Sequence, residues 1–233
     1  RVPTRAMNMI RKLLLAACLL VGLIGNTAAV TFANLTSGSA TSVTTSTDTA
    51  SVTITPGRLA LLVVVNRQTN FLTPPAPTST GWTQIATVVY DDDTLNRERL
   101  TLFRRMEGSD LTQAHTIAFA AETQAIVRWS IEEAAGVDTG GTNGADAVVQ
   151  SAATTVSVTL AAFSNASNAT FACFGLGGDG ASGTPTLTAG SGFTALTDLS
   201  NVDATLYTER RVDNDTTADV SSTLTHGWLG GIA

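Results

Sequence analysis

The unbroken run Leu59-Ala60-Leu61-Leu62-Val63-Val64-Val65 limits what this chain can fold into more than any other stretch. It follows a Ser-Val-Thr start and a Pro-Gly turn in "SVTITPGRLALLVVVN" (51–66). Side chains alternate across a strand, so a strand without a polar position is apolar on both faces and must be covered on both. A similar sentence recurs in "SVTLAAFSNASNATFACFGL" (157–176). Elsewhere short β-branched runs are separated by Gly, Asn, Asp and Ser, and neither heptads nor long amphipathic stripes occur. The expected class is all-β, a two-sheet antiparallel sandwich of jelly-roll type. With 233 residues, 43% of them hydrophobic, the chain can bury a sizeable core.

The two stretches belong to a longer correspondence. "VTTSTDTASVTI" (43–54) lies over "VQSAATTVSVTL" (149–160), and "LTLFRRMEGSD" (100–110) over "LYTERRVDNDT" (206–216) at the same offset, with Arg104-Arg105 on Arg210-Arg211. Between them "GWTQIATV" (81–88) matches "GFTALTDL" (192–199), and Trp129 falls on Trp228 in the last pair of segments. Four anchors in one order imply two repeated halves, 30–138 and 139–233. Strands are expected at 51–54, 59–65, 82–90 (with a bulge near Ala86), 100–105, 115–119 and 127–131. The matching runs are 156–160, 169–174, 193–199, 205–211, 220–225 and 228–232. Each half could close on itself, or both could combine into one sandwich; the cover demanded by Leu59–Val65 favours the combined form.

The order "TPGRLALLVVVN", Pro-rich loop, "GWTQIATVVY", "LTLFRRMEGSD", "HTIAFAAETQAIVRWSIEEAAGVD" resembles a secreted β-sandwich module of bacterial surface and phage-associated proteins. That group carries "GD-LLL", "P-GWT", "YRKVAG" and "Y-GVD". This chain has Gly57-Arg58 in place of Gly-Asp and "TSTGWT" in place of "PAGWT". The resemblance implies a fold and a surface role, and it supplies no catalytic residues.

Residues 1–29 read as a signal segment. Met7 and Met9 are candidate initiators, Arg11 and Lys12 a positive start, and "LLLAACLLVGLIG" a 13-residue apolar core. "NTAAV" then offers small residues for cleavage after Ala29. A spanning helix would want about 20 apolar residues, so no membrane span is expected in the mature chain. "LAAC" (15–18) also resembles a lipobox, which leaves a lipoprotein form open. Residues 1–29 contain Arg1, Arg5, Arg11 and Lys12 and no acid. Of 13 basic and 19 acidic residues the mature chain therefore keeps 9 and 19, net −10. A field of that sign disfavours nucleic acid as a partner. Cys173 is then the sole cysteine, so no disulfide is expected. The compartment implied is secreted, periplasmic or cell-surface.

Candidate sites are few. Asp91, Asp92 and Asp93, with Asn96 nearby, are candidate Ca²⁺ ligands, a hard cation that takes six to eight oxygens, although the spacing lacks a Ca²⁺-loop signature. No other cofactor is implied. Asn66, Gln68, Asn70 and Phe71 in "NRQTNFLTPPAP", with Asp179 in the Gly-rich "GLGGDGASGTP", are candidate ligand-binding residues. The two loops leave equivalent strands and should sit at one end of the sandwich, and an aromatic with amide neighbours suits sugars. Glu132 and Glu133 are adjacent and must face opposite ways, which does not suit the two-carboxylate mechanism of glycosidases. Glu132 is expected beside Arg128. The Arg pairs are expected to meet carboxylates on neighbouring strands. His115 and His226 have no metal-binding spacing. The function expected is a secreted, non-enzymatic structural or binding module whose partner is a glycan or a surface protein. A phage tail or decoration protein and a polysaccharide hydrolase are the alternatives.

Overall fold

The computed structural model describes residues 29–70, 72–90, 97–106, 111–120, 122–137, 147–150, 155–162, 168–177, 183–213, 215–223 and 228–233. Every regular element among them is a β-strand, and all pairings are antiparallel. The first half contributes β1 (Thr31–Val43), β2 (Ser46–Asp48), β3 (Val52–Ile54), β4 (Leu59–Gln68), β5 (Thr83–Tyr90), β6 (Glu98–Met106), β7 (Leu111–Gln113), β8 (Thr116–Ala118) and β9 (Gln124–Ala135). The second contributes β10 (Ala147–Gln150), β11 (Thr155–Thr159), β12 (Thr170–Gly177), β13 (Leu187–Ala189), β14 (Thr194–Leu199), β15 (Ala204–Arg211), β16 (Thr217–Ser222) and β17 (Trp228–Ile232).

Two five-stranded sheets dominate, ordered β1-β9-β4-β6-β5 and β10-β17-β12-β15-β14. The second order repeats the first, strand for strand. They pack face to face as a two-sheet sandwich: β4 lies against β15, β6 against β12 and β17, β9 against β14 and β15, β5 against β10 and β17. Between them lies a core of Leu59, Leu61, Val63, Val65, Leu100, Leu102, Cys173, Leu206 and Ile232. The outward face of each sheet has its own cover. Short pairs β2-β8 and β3-β7 close over Ala60, Leu62, Val64, Phe103 and Trp129. The β11-β16-β13 sheet closes over Phe174, Leu176, Tyr207 and Leu229. The apolar run thus meets one core on each face: odd residues of β4 point to the centre, even ones outward.

Local details recur between the halves. Ser79-Thr80-Gly81-Trp82 and Gly190-Ser191-Gly192-Phe193 each close a turn, Trp82 N donating to Ser79 O (3.1 Å) and Phe193 N to Gly190 O (3.0 Å). The third residue has φ of 80° in both, as a type II turn requires. The bulge expected near Ala86 is present as a register shift between Gln84 and Ala86, and another lies between Ala195 and Thr197. Arg211 departs from the expectation of a carboxylate on a neighbouring strand. Arg211 bonds Asp213 and Asp215 in the turn that follows its own strand, and the Ser191 carbonyl (2.9 Å), because it sits at the strand's end.

Tyr90 joins the two sheets. It is buried in the central core, and a Cβ added at Gly175 would lie 2.0 Å from its hydroxyl oxygen, one at Gly230 2.4 Å from its ring. Both glycines are in mid-strand of the second sheet, where only a missing side chain lets the phenol enter. Gly175→Ala is therefore expected to cost about 1–3 kcal/mol through overpacking. In urea denaturation that cost should shrink sharply in a Tyr90→Leu background. An unchanged cost would place the strain elsewhere.

Candidate functional site

The ends of β4 and β12, the start of β6 and the β14–β15 connection lie together at one end of the sandwich. Glu98 opens β6 and pairs in register with Arg67 near the end of β4. A Cβ on Gly177, the last residue of β12, would lie 3.2 Å from the Glu98 carboxyl carbon. Arg67 in turn donates from Nη1 to the Asp203 carbonyl (3.1 Å) and lies 3.4 Å from its carboxylate through Nη2. The last residues of β4 and β12 therefore lie beside the first residue of β6 and the β14–β15 connection.

The segment after β4 is tied to the scaffold through its backbone. The Pro74 carbonyl accepts from Arg99 Nε (2.8 Å), the Pro75 carbonyl from Asn66 Nδ2 (3.2 Å), and Thr69 N donates to Thr123 O (3.2 Å). Asn70 Oδ1 accepts from Leu72 N (3.3 Å), and Leu72 is 60% exposed. The predicted ligand residues divide accordingly. Asn66 is fully buried and gives Nδ2 also to Gln124 Oε1 (2.8 Å), so its amide holds the loop instead of facing a ligand. Gln68 is buried too, and Asn70 alone of the three is exposed. Phe71, Asp179, Asp91, Asp92, Asp93 and His226 lie outside the described residues. Among the described residues no group of three His, Cys, Asp or Glu is placed to hold a metal ion.

Glu132 and Glu133 face opposite ways, as adjacency on a strand dictates. Glu133 accepts from Thr55 N (2.7 Å) and Arg58 Nη1 (2.6 Å), which ties the Pro-Gly turn to β9. Glu132 points into the central core, where Oε1 accepts from Thr197 Oγ1 (2.7 Å), Thr208 Oγ1 (3.1 Å) and Asn34 Nδ2 (3.1 Å). Burial raises its carboxyl above the usual range despite these bonds. It does not sit beside Arg128: four residues along a strand is about 13 Å, and the charges felt by Arg128 are Glu98 and Asp203. His115 is buried edge-on to Trp82, ring centroids 5.2 Å apart, with Trp82 Nε1 donating to its Nδ1 (3.4 Å).

The site that sequence reasoning missed is the buried polar cluster beneath this end. Tyr90 donates to Glu98 Oε2 (2.9 Å), and both are buried between the sheets. Burial is the largest influence on Glu98 and pushes its carboxyl up to about 8; Arg67, the Tyr90 bond and Arg128 pull it down, and Asp203 pushes it up. Tyr90 is raised by the same burial, then by Glu98. From solvent inward the order is Asp203, Arg67, Arg128, Tyr90 and Glu98, with side-chain exposures of 50% and 13% at the first two. A signal was present in the sequence. Arg67, Glu98 and Arg128 occupy the parity of Val65, Leu100 and Ile126, so the pattern itself put charge on a core face.

Glu98 binds its proton more tightly folded than unfolded. Its contribution to stability is complete below the ordinary carboxylate range near pH 4.5 and is lost as pH rises through about 8. Over that window it should lower stability by about 1.4 kcal/mol per pH unit. Glu209, also raised to about 8 by burial, acts in the same sense. Urea titrations from pH 5 to 8 should show Glu98→Gln with a flatter decline than the parent chain; an identical decline would mean that Glu98 stays ionised throughout.

No known protein family matches this chain, and no curated protein matches it in sequence, so the reading of the site rests on its geometry.

Proposed function

We propose that this chain is an exported, non-enzymatic β-sandwich module that binds a glycan at the cell surface through the loops at the Arg67–Glu98 end. The observation that carries the reading is that the segment after β4 is fixed to the sandwich by the Pro74 and Pro75 carbonyls while Asn70 and Leu72 stay exposed. Backbone anchoring of this kind positions a loop while leaving its side chains free for recognition. The buried carboxylates support a binding role over hydrolysis. Glu133 is bonded to Arg58 and Thr55, Glu132 to two threonines and an asparagine, Glu98 to Tyr90, and Glu209 to the Gly190 amide (3.2 Å). Each is committed to holding strands or turns together. The signal-like leader, the net charge and the resemblance to surface modules agree with export.

A glycan array probed with and without Ca²⁺ tests the reading. Asn70→Ala and Phe71→Ala are expected to lower binding at least about tenfold with little change in thermal midpoint. Asn66→Ala should instead lower the midpoint, because it frees Pro75 and Gln124. Polysaccharide cleavage abolished by Glu133→Gln, or binding to no glycan in either condition, would overturn the proposal.

A further inference from the structure

Arg128 stands out among the described arginines. It lies in the middle of a five-stranded sheet on the central-core face, opposite Val65 of β4 and Ser39 of β1, and is only 7% exposed. No described residue hydrogen-bonds its guanidinium, and Nε is sealed from solvent without a partner. Glu98 and Asp203 act on it only through space. Both have closer commitments: Asp203 is contacted by Arg67, and Glu98 accepts from Tyr90. Arg67 Nε and Glu98 Oε1 are likewise buried without partners.

A buried guanidinium without a hydrogen-bonded counter-charge is costly to a fold, and arginine's planar fork suits a carboxylate in two-point contact. The local charges leave room for one. Arg67 is matched by Asp203, and Glu98 lies against the Tyr90 hydroxyl, so among the described residues Arg128 has no anion in contact. The electrostatic neighbours also locate it. Asp203, half exposed in the β14–β15 connection, is close enough to act on Arg128, which places the guanidinium near this end of the sandwich.

We propose that Arg128 is the anchor for a carboxylate-bearing sugar, so that the glycan bound at the loop end is a uronic-acid polymer. This rests on the binding role assigned above and adds the chemical class of the ligand. The carboxylate would take the two-point contact that no described residue offers Arg128, and the sugar ring would extend toward Asp203 and the exposed loop. In a chain with such an acidic balance, a recessed cation lets an acidic polymer dock where the surface at large would repel it.

The test uses the full chain with trigalacturonate as probe, maltotriose as its neutral counterpart and sodium acetate as the bare carboxylate, followed by calorimetry and by the Arg128 Nε–Hε resonance. Trigalacturonate should bind and shift that resonance, acetate should shift it at much higher concentration, and maltotriose should not shift it. Arg128→Leu should weaken trigalacturonate by about 10- to 100-fold, the loss expected for one charge-assisted contact. Arg128→Lys keeps the charge without the fork and should fall between, which preserves the test if the leucine variant folds poorly. Arg58→Leu, on the opposite face, should leave binding unchanged. A silent Arg128 resonance, or trigalacturonate binding unaltered in both Arg128 variants, overturns the proposal. Neutral-glycan binding that depends on Asn70 and Phe71 but not on Arg128 would overturn it while leaving the surface-binding role intact.

Discussion

The architecture follows from the need to cover both faces of β4. An interior strand with Leu59, Leu61, Val63 and Val65 on one side and Ala60, Leu62 and Val64 on the other cannot belong to a sheet with a wet face. Parallel α/β folds meet this need with helices; a chain that is Ser-, Thr- and Gly-rich must meet it with more sheet. The central cover comes from the other half's five-stranded sheet, the outer cover from short strands of the same half. β4 is the middle strand of one facing sheet and β12 the middle strand of the other. The result is a central core between the two large sheets and a smaller core on the outer side of each.

Residues whose surroundings are local were legible, and those whose surroundings come from the other half were not. The Pro-Gly turn, the bulge at Ala86, the opposite facing of Glu132 and Glu133 and the alternation of β6 depend on strand geometry and a few neighbours. By contrast β1 is an edge strand rich in Thr, Ser, Ala and Gly whose few apolar residues, Phe32, Leu35, Ala40 and Val43, do not alternate regularly, so its long pairing with β9 was not legible. β10 is a four-residue strand whose hydrogen-bonded partner is β17 of the same sheet. The loop residues were assigned by composition, and composition cannot separate Asn66, turned inward to Gln124, from Asn70, turned outward. Charges on the core parity of β4, β6 and β9 were visible, yet their meaning required knowing that Asp203 and the glycines of β12 would face them.

Burying polar groups between the sheets carries a cost in desolvation, and here it is confined to two places. At one, Glu132 of the first half gathers hydroxyls of Thr197 and Thr208 from the second. At the other, Tyr90 and Glu98 reach into space left by Gly175, Gly177 and Gly230. Apolar packing alone is tolerant of sliding, because one aliphatic surface resembles another. A carboxylate that finds its hydroxyls in only one register, and a phenol that fits only over glycine, make the relation of the halves specific.

That specificity links the core to the proposed binding end. The strand ends that meet there keep their relative positions only while the two sheets keep theirs, since β4 and β6 belong to one sheet and β12, β14 and β15 to the other. Tyr90 and Glu98, at the end of β5 and the start of β6, are the same residues that lock the sheets together. The Arg67–Asp203 contact repeats the bond across the halves nearer the surface. A ligand anion engaging Arg128 would sit at this junction, where β9 of one half underlies the β14–β15 connection of the other. Occupying it would neutralise the cation that the junction leaves unmatched, so binding and the docking of the two halves would reinforce each other through one buried charge.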